Sequence, residues 1–156
     1  MKDFINHFIF REELDNFKKK NTTILVSSFF YLLPALYIIY SPLKKYQLLV
    51  FVSFLQIILS ILSDYIYIES KDKYALFISS VDRINSIIYT SILVYYLILS
   101  NPIFALACVL LTIILIEYSR KSKTQTEWVE RHSIWHVCSS IILLLCLNQV
   151  KNNLSD

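Results

Sequence analysis

Residues 132 to 136 read His-Ser-Ile-Trp-His. Two imidazoles four residues apart share one helix face a single turn apart, as two ligands of one metal ion must. Ser60 and Asp64 have the same spacing, and Asp82, Asn85 and Ser86 form a third polar stripe. Facing stripes inside a helix bundle are how metal sites between helices are built. Two imidazoles and one carboxylate suit Zn²⁺ with an open fourth position for water, the arrangement of a catalytic rather than a structural site. The same donors suit Fe(II), so the donor types leave the metal open between the two. The cysteines are poor ligands: Cys138, two residues past His136, points about 200° away around the helix. Each polar residue also has a plain structural reading. An HxxxH pair on a soluble helix is often accidental, and Asp64 alone is an ordinary charge near a helix end. Arg83 is expected to reach the headgroups or pair with Asp64. Glu117 and Glu130 read as interfacial charges, Trp128 as an aromatic-belt residue, and Trp135 as packing or pocket wall.

The elements that must position these groups are set by composition. Hydrophobic residues make up 56% of the 156, above the roughly 45–50% of soluble domains. They gather into runs of roughly 18 to 25 residues, the length of membrane-spanning helices. Backbone groups in lipid must satisfy one another, which favours helices. The expectation is an all-α integral membrane bundle forming one domain over residues 1–156. Five spans are expected, at about 22–40, 46–68, 74–99, 102–118 and 128–148, behind a cytoplasmic or interfacial segment 1–21. Short connections make neighbouring helices antiparallel. Phe4, Ile5, Phe8 and Ile9 recur at helical spacing, so the first segment reads equally as a surface helix or a disordered tail, and no cleavable signal peptide is expected. Cys108, Cys138 and Cys146 all lie in apolar runs and read as small core residues rather than disulfide partners. Glycine is absent, so close helix packing falls to pairs such as Ser27-Ser28, Ser79-Ser80 and Ser139-Ser140.

Charge distribution orients the bundle. Lys2, Arg11, Lys18, Lys19, Lys20, Lys71, Lys73, Arg120, Lys121 and Lys123 fall on one face, and Lys44, Lys45 and Lys151 on the other. That asymmetry places the N-terminus in the cytoplasm. The same lysines lie in clusters separated by apolar runs, which excludes the continuous basic surface a nucleic-acid partner needs. With this orientation Asp64 ends span two near the cytoplasmic face, Asp82 lies about two turns into span three, and both histidines start span five. Charged groups within a span cost at least a few kcal/mol, and here they gather at one depth.

HSIWHV at the start of the last helix resembles the terminal motif of the CREST superfamily of membrane hydrolases. That superfamily holds alkaline ceramidases, progestin/adiponectin receptors with hemolysin-III proteins, GPI-lipid remodelling proteins and myomaker-like proteins. Its pattern is Ser-x-x-x-His on an early helix, Asp on the next, and His-x-x-x-His on the last. Ser60-Ile61-Leu62-Ser63-Asp64 stands at the first motif, Asp82 at the lone Asp, and His132 and His136 at the pair. The chain departs from the pattern in having Asp64 in place of the first histidine, and five spans where the family typically has seven. The resemblance implies that Asp64, His132 and His136 bind the metal, that Asp82 positions and deprotonates the attacking water, and that Ser60 donates a hydrogen bond to the site.

The function so implied is an intramembrane zinc-dependent hydrolase of a lipid amide or ester, ceramidase-like, acting near the cytoplasmic face on a membrane lipid. A carboxylate ligand donates more negative charge than imidazole, so the bound water should be less acidic and the rate optimum more alkaline. A second reading is a non-catalytic receptor or remodelling protein with a structural metal on the same scaffold. A third is a small ion or proton conductor, which requires polar residues through the whole membrane depth. The polar residues gather instead on one side.

Overall fold

The computed structural model describes residues 17–99 and 101–153. The stripe Phe4 to Ile9, expected at the membrane surface, lies outside the described residues. Among the described residues the secondary structure is all helical. Helix α1 (Thr22–Ser28) passes through a 3₁₀ turn (Phe29–Tyr31) into α2 (Leu32–Ile39). A short 3₁₀ segment leads to α3 (Gln47–Ile61), which ends in a π turn (Leu62–Ile66). Helices α4 (Lys73–Ile98), α5 (Pro102–Arg120) and α6 (Gln125–Asn153) complete the chain. Among the described residues, four stretches are long and apolar enough to cross a membrane: Thr22–Ile39, Gln47–Ile66, Pro102–Arg120 and Gln125–Asn153. The fifth, α4, occupies the place expected for span three, but Asp82, Arg83 and Asn85 lower its hydropathy. The described residues form a multi-pass bundle of five helical units.

Local sequence explains the helix ends. Asn21, Asp72 and Asn101 cap α1, α4 and α5 by accepting from the Thr23, Ala75 and Phe104 amides, and Pro102 fills the first helical position of α5, where no donor is needed. The Asp72 contact holds that exposed carboxyl below its ordinary range. The 3₁₀ turn in the first unit precedes Pro34, which lacks an N–H and would crowd the carbonyl of Phe30; the Leu32 amide instead reaches Phe29 O and Phe30 O.

Helix α6 is central, packing against α1, α2, α4 and α5, while α3 packs against α4. At one end Leu49, Val52, Tyr89, Leu93, Leu97 and Leu147 form the main core. At the other, Ile24, Ile68 and Trp128 form a smaller cluster. The large apolar residues left outside, such as Phe51, Ile103 and Leu106, are more than half exposed, as suits surfaces that meet lipid tails. Close approach of the central helices falls to buried serines: Ser27, Ser28, Ser53, Ser60, Ser139 and Ser140. Ahead of α1, the Lys19 amide donates to Gln125 Oε1 at 2.8 Å and Gln125 Nε2 returns a bond to Lys19 O at 3.0 Å. The Lys20 amide donates to Glu69 Oε1 at 2.9 Å. These bonds fix the entering segment against α6 and the loop before α4.

Candidate metal centre

Three of the expected ligands meet. His132 Nε2 lies 3.2 Å from Asp64 Oδ2, and His136 Nε2 lies 3.3 Å from the same oxygen. The three donor atoms fall within 4.8 Å of one another. Metal–ligand bonds of 2.0–2.2 Å in a tetrahedron set donor atoms roughly 3.3–3.6 Å apart, which the two carboxylate–imidazole separations match. Despite that proximity, His132 Nε2 is buried and makes no well-aligned hydrogen bond among the described residues. An orphaned imidazole nitrogen is costly to bury, and an ion at this point would satisfy it.

The helices bring these atoms together in two ways. His132 and His136 follow from the i, i+4 spacing on α6, their rings 4.6 Å apart. Asp64 sits in the π turn that closes α3, where the Tyr67 amide bonds five residues back to Leu62 O at 2.8 Å. Such wide turns are rare, mostly single-turn, and frequently found at functional sites.

A layer of hydroxyls holds the imidazoles. Ser27 Oγ donates to Ile24 O at 2.8 Å and stands 2.8 Å from His136 Nδ1. With its one hydrogen engaged, Ser27 accepts from His136 Nδ1–H, which leaves the lone pair on Nε2, directed at Asp64. Ser28 repeats the pattern more loosely, donating to Ile24 O at 3.0 Å with His136 Nδ1 at 3.4 Å. Ser119 Oγ lies 2.9 Å from His132 Nδ1 and holds the second ring from the side away from Asp64. Partners of this kind fix the tautomer and orientation of metal-binding imidazoles. Ser139 and Ser140 donate to the His136 carbonyl, and Tyr31 bonds Ser139 at 2.8 Å with its ring edge-on to His136.

Ser60 Oγ lies 3.2 Å from Ser28 Oγ, 3.4 Å from His136 Nε2 and 3.5 Å from Asp64 Oδ2, at the edge of the trio. Asp82 does not join the three donor atoms. It lines the same cavity, of about 660 Å³, as Ser60, Asp64, His132 and His136. Gln56 Nε2 donates to Asp82 Oδ1 at 2.9 Å, while Gln56 Oε1 accepts from Asn85 Nδ2 and Ser86 Oγ, each at 2.9 Å. The stripe Asp82, Asn85, Ser86 is therefore real, and one amide on α3 gathers it.

Sequence reasoning missed Gln56, Ser27, Ser28 and Ser119. Gln56 carried a signal, since it continues the Ser60, Asp64 stripe one turn back. The serines of span one read only as packing residues. Trp128, expected in an aromatic belt, is 2% exposed and stacks on His132 with ring centroids 5.4 Å apart. Trp135 lines the cavity, and the three cysteines are free thiols. Comparison of the chain with protein-family models, with curated proteins and with solved structures gave no match.

Proposed function

We propose that the chain is an intramembrane metal-dependent hydrolase of a lipid amide or ester bond, with Zn²⁺ held by Asp64, His132 and His136 near the cytoplasmic face. The observation that carries this reading is the convergence of both Nε2 atoms on one carboxylate oxygen, at 3.2 and 3.3 Å, with both Nδ1 atoms facing serines. Bound there, the ion would polarise a carbonyl oxygen and make a water nucleophilic near neutral pH.

The chain's own residues supply the rest. Gln56 occupies Asp82 Oδ1, so Oδ2 is the oxygen left to take a proton from an attacking water. Ser60, between Ser28 and Asp64, donates to the developing oxyanion. The cavity runs along α4 from Ser79 to Ile98, about 28 Å at 1.5 Å per residue, close to the thickness of a bilayer's hydrocarbon layer. Ile87, Val94, Ile98, Val109 and Ile113 line it, a wall suited to acyl chains while the labile bond stays at the polar end. The resemblance to the CREST superfamily rests on the same five positions and supports the same chemistry.

The test is metal content measured beside lipid turnover, for the wild type and Asp82→Ala. Equimolar zinc in both, with turnover of an amide or ester lipid only in the wild type, is the expected result. Zinc in the wild type with no turnover of any such lipid would leave a structural metal in a receptor or remodelling protein. A wild type that binds no zinc, unchanged by His132→Ala, would sink both.

A further inference from the structure

The cavity that holds the ligand trio is walled unevenly. From the first unit, α3 and α6 it is lined by Tyr31, Gln56, Ser60 and His136, all of them buried. Beyond the trio, Ile68 and Trp128 also line it and pack with Ile24 into a buried cluster across that end. Toward the other end lies the main core, where Leu97 of α4 and Ala105 of α5 are buried beside the Asn101 turn. The lining residues on the edges of α4 and α5 differ. Ile87, Tyr95 and Ile113 line the same cavity and are 48%, 63% and 42% exposed. Side chains that line a cavity and still stand open to the outside mark the place where its wall is missing.

The opening follows one seam. Ile87, Ser91 and Tyr95 recur every fourth residue along one face of α4 and line the cavity. Across from them, α5 presents Val109, Ile113 and Ile116. Ile87 and Ile113 stand about 21 and 18 Å along their helices from the Asn101 turn, at 1.5 Å per residue, and so lie at similar depth. The seam is packed at that turn and parts toward the site. Helix α5 buries 17% of its apolar stretch, against 39–44% for the other three spans, which leaves its cavity edge without a neighbour to cover it. Past Ile113 the cavity face of α5 leads to Ser119, which holds His132, and past Ile87 that of α4 leads to Asp82. A molecule dissolved in water would meet Ile24, Ile68 and Trp128 at the end of the bundle. An acyl chain already in the bilayer meets the open seam, whose apolar edges suit it.

We infer that the seam between α4 and α5 is a lateral entrance, through which an acyl chain of a bilayer-resident lipid slides sideways into the cavity. This rests on the reading of the cavity as a lipid-substrate site. The substrate class that follows is a long-chain lipid taken directly from the membrane, its labile bond carried to the trio while its tail stays between Ile87 and Ile113. Trp135, which lines the cavity from α6, stands where the entering chain can be detected.

The full chain is reconstituted in vesicles of dioleoylphosphatidylcholine, or of the same lipid with brominated chains, whose bromines quench an indole they touch. Tryptophan fluorescence and zinc content are measured on the same samples. Brominated chains should quench the wild type, and Trp135→Phe should lose that quenching. Ser91→Phe with Thr112→Phe, which fills the seam with two rings, should lose it too while zinc content stays the same. Ile87→Ala with Ile113→Ala widens the seam and should deepen it. Leu106→Phe with Leu110→Phe adds the same rings to exposed positions of α5 that do not line the cavity, and should leave it unchanged. A wild type that brominated chains do not quench overturns the proposal, as does quenching that survives in the filled seam or in Trp135→Phe. An equal loss in the Leu106/Leu110 variant overturns it as well. An unquenched Trp135 in a chain that cross-links as a dimer would put a second copy in the seam instead. The fluorescence needs neither metal nor turnover. Quenching through the seam in a chain that hydrolyses no amide or ester lipid would therefore sink the hydrolase reading and keep the entrance, and turnover without quenching would sink the entrance alone.

Discussion

Gln56 holds Asp82 through a single bond, Nε2 to Oδ1 at 2.9 Å, across two helices. The amide cannot turn over without breaking its bonds from Asn85 and Ser86, so it presents a donor to the carboxylate in one orientation only. Replacing it with leucine would leave Asp82 half-buried without that donor. Gln56→Leu should keep full zinc content and lower kcat by about 10- to 100-fold, with Gln56→Glu worse because it sets a second carboxylate against Asp82. Asp82→Asn should cost about 10²–10⁴ in kcat. Loss of zinc in Gln56→Leu would count against a role exercised through Asp82.

Metal removal gives a direct test of the trio. Zinc at a hundredfold over its Kd should stabilise the fold by about 2.7 kcal/mol, visible as a fall in Tm on chelation. His132→Ala, His136→Ala and Asp64→Asn should each abolish that fall. A Tm that chelator leaves unchanged in the wild type contradicts a bound ion.

The serine layer predicts an effect at a distance. Ser27→Ala removes the acceptor of His136 Nδ1–H and should weaken zinc affinity by about 10- to 100-fold. Ser28, 3.4 Å from the same nitrogen, partly substitutes, so the double change should exceed either single one. Equal zinc affinity in the wild type and the double variant, measured by competition with a chelating dye, would show the serines to be packing residues alone.

If Asp64 binds the metal as proposed, its carboxylate sets the direction of the pH response. Asp64→His replaces a negative ligand with a neutral one, and the ion then draws more strongly on a bound water. The rate–pH profile of this variant should shift to lower pH than the wild type's. An unchanged or alkaline-shifted profile in a variant that holds zinc would show that Asp64 is not a ligand.

The number and order of the helical units were readable from apolar runs, since lipid forces long continuous helices. Asp64, His132 and His136 were readable too, because charges inside such runs need a partner. Spacing along one helix predicts which side chains share its face, but it does not say which neighbouring helix that face meets. Ser27, Ser28 and Ser119 were therefore invisible as partners of His136 and His132 until α1, α5 and α6 were placed together. Gln56 lay on a stripe already marked and could have been found. The π turn gave no sequence signal: LSDYI has no residue that demands it, and the hydrogen bond from Tyr67 to Leu62 marks it.

That turn has a genetic consequence. A π turn is a helix carrying one residue more than its hydrogen-bond ladder requires, so a deletion of one codon within Leu62–Ile66 could be absorbed there while α3 and the loop after it stay in place. The carboxylate would swing off the imidazoles and the fold would survive. Chemistry and scaffold would then be separable by a single in-frame deletion: deleting Ser63 should give a chain that still inserts and folds, but carries no metal.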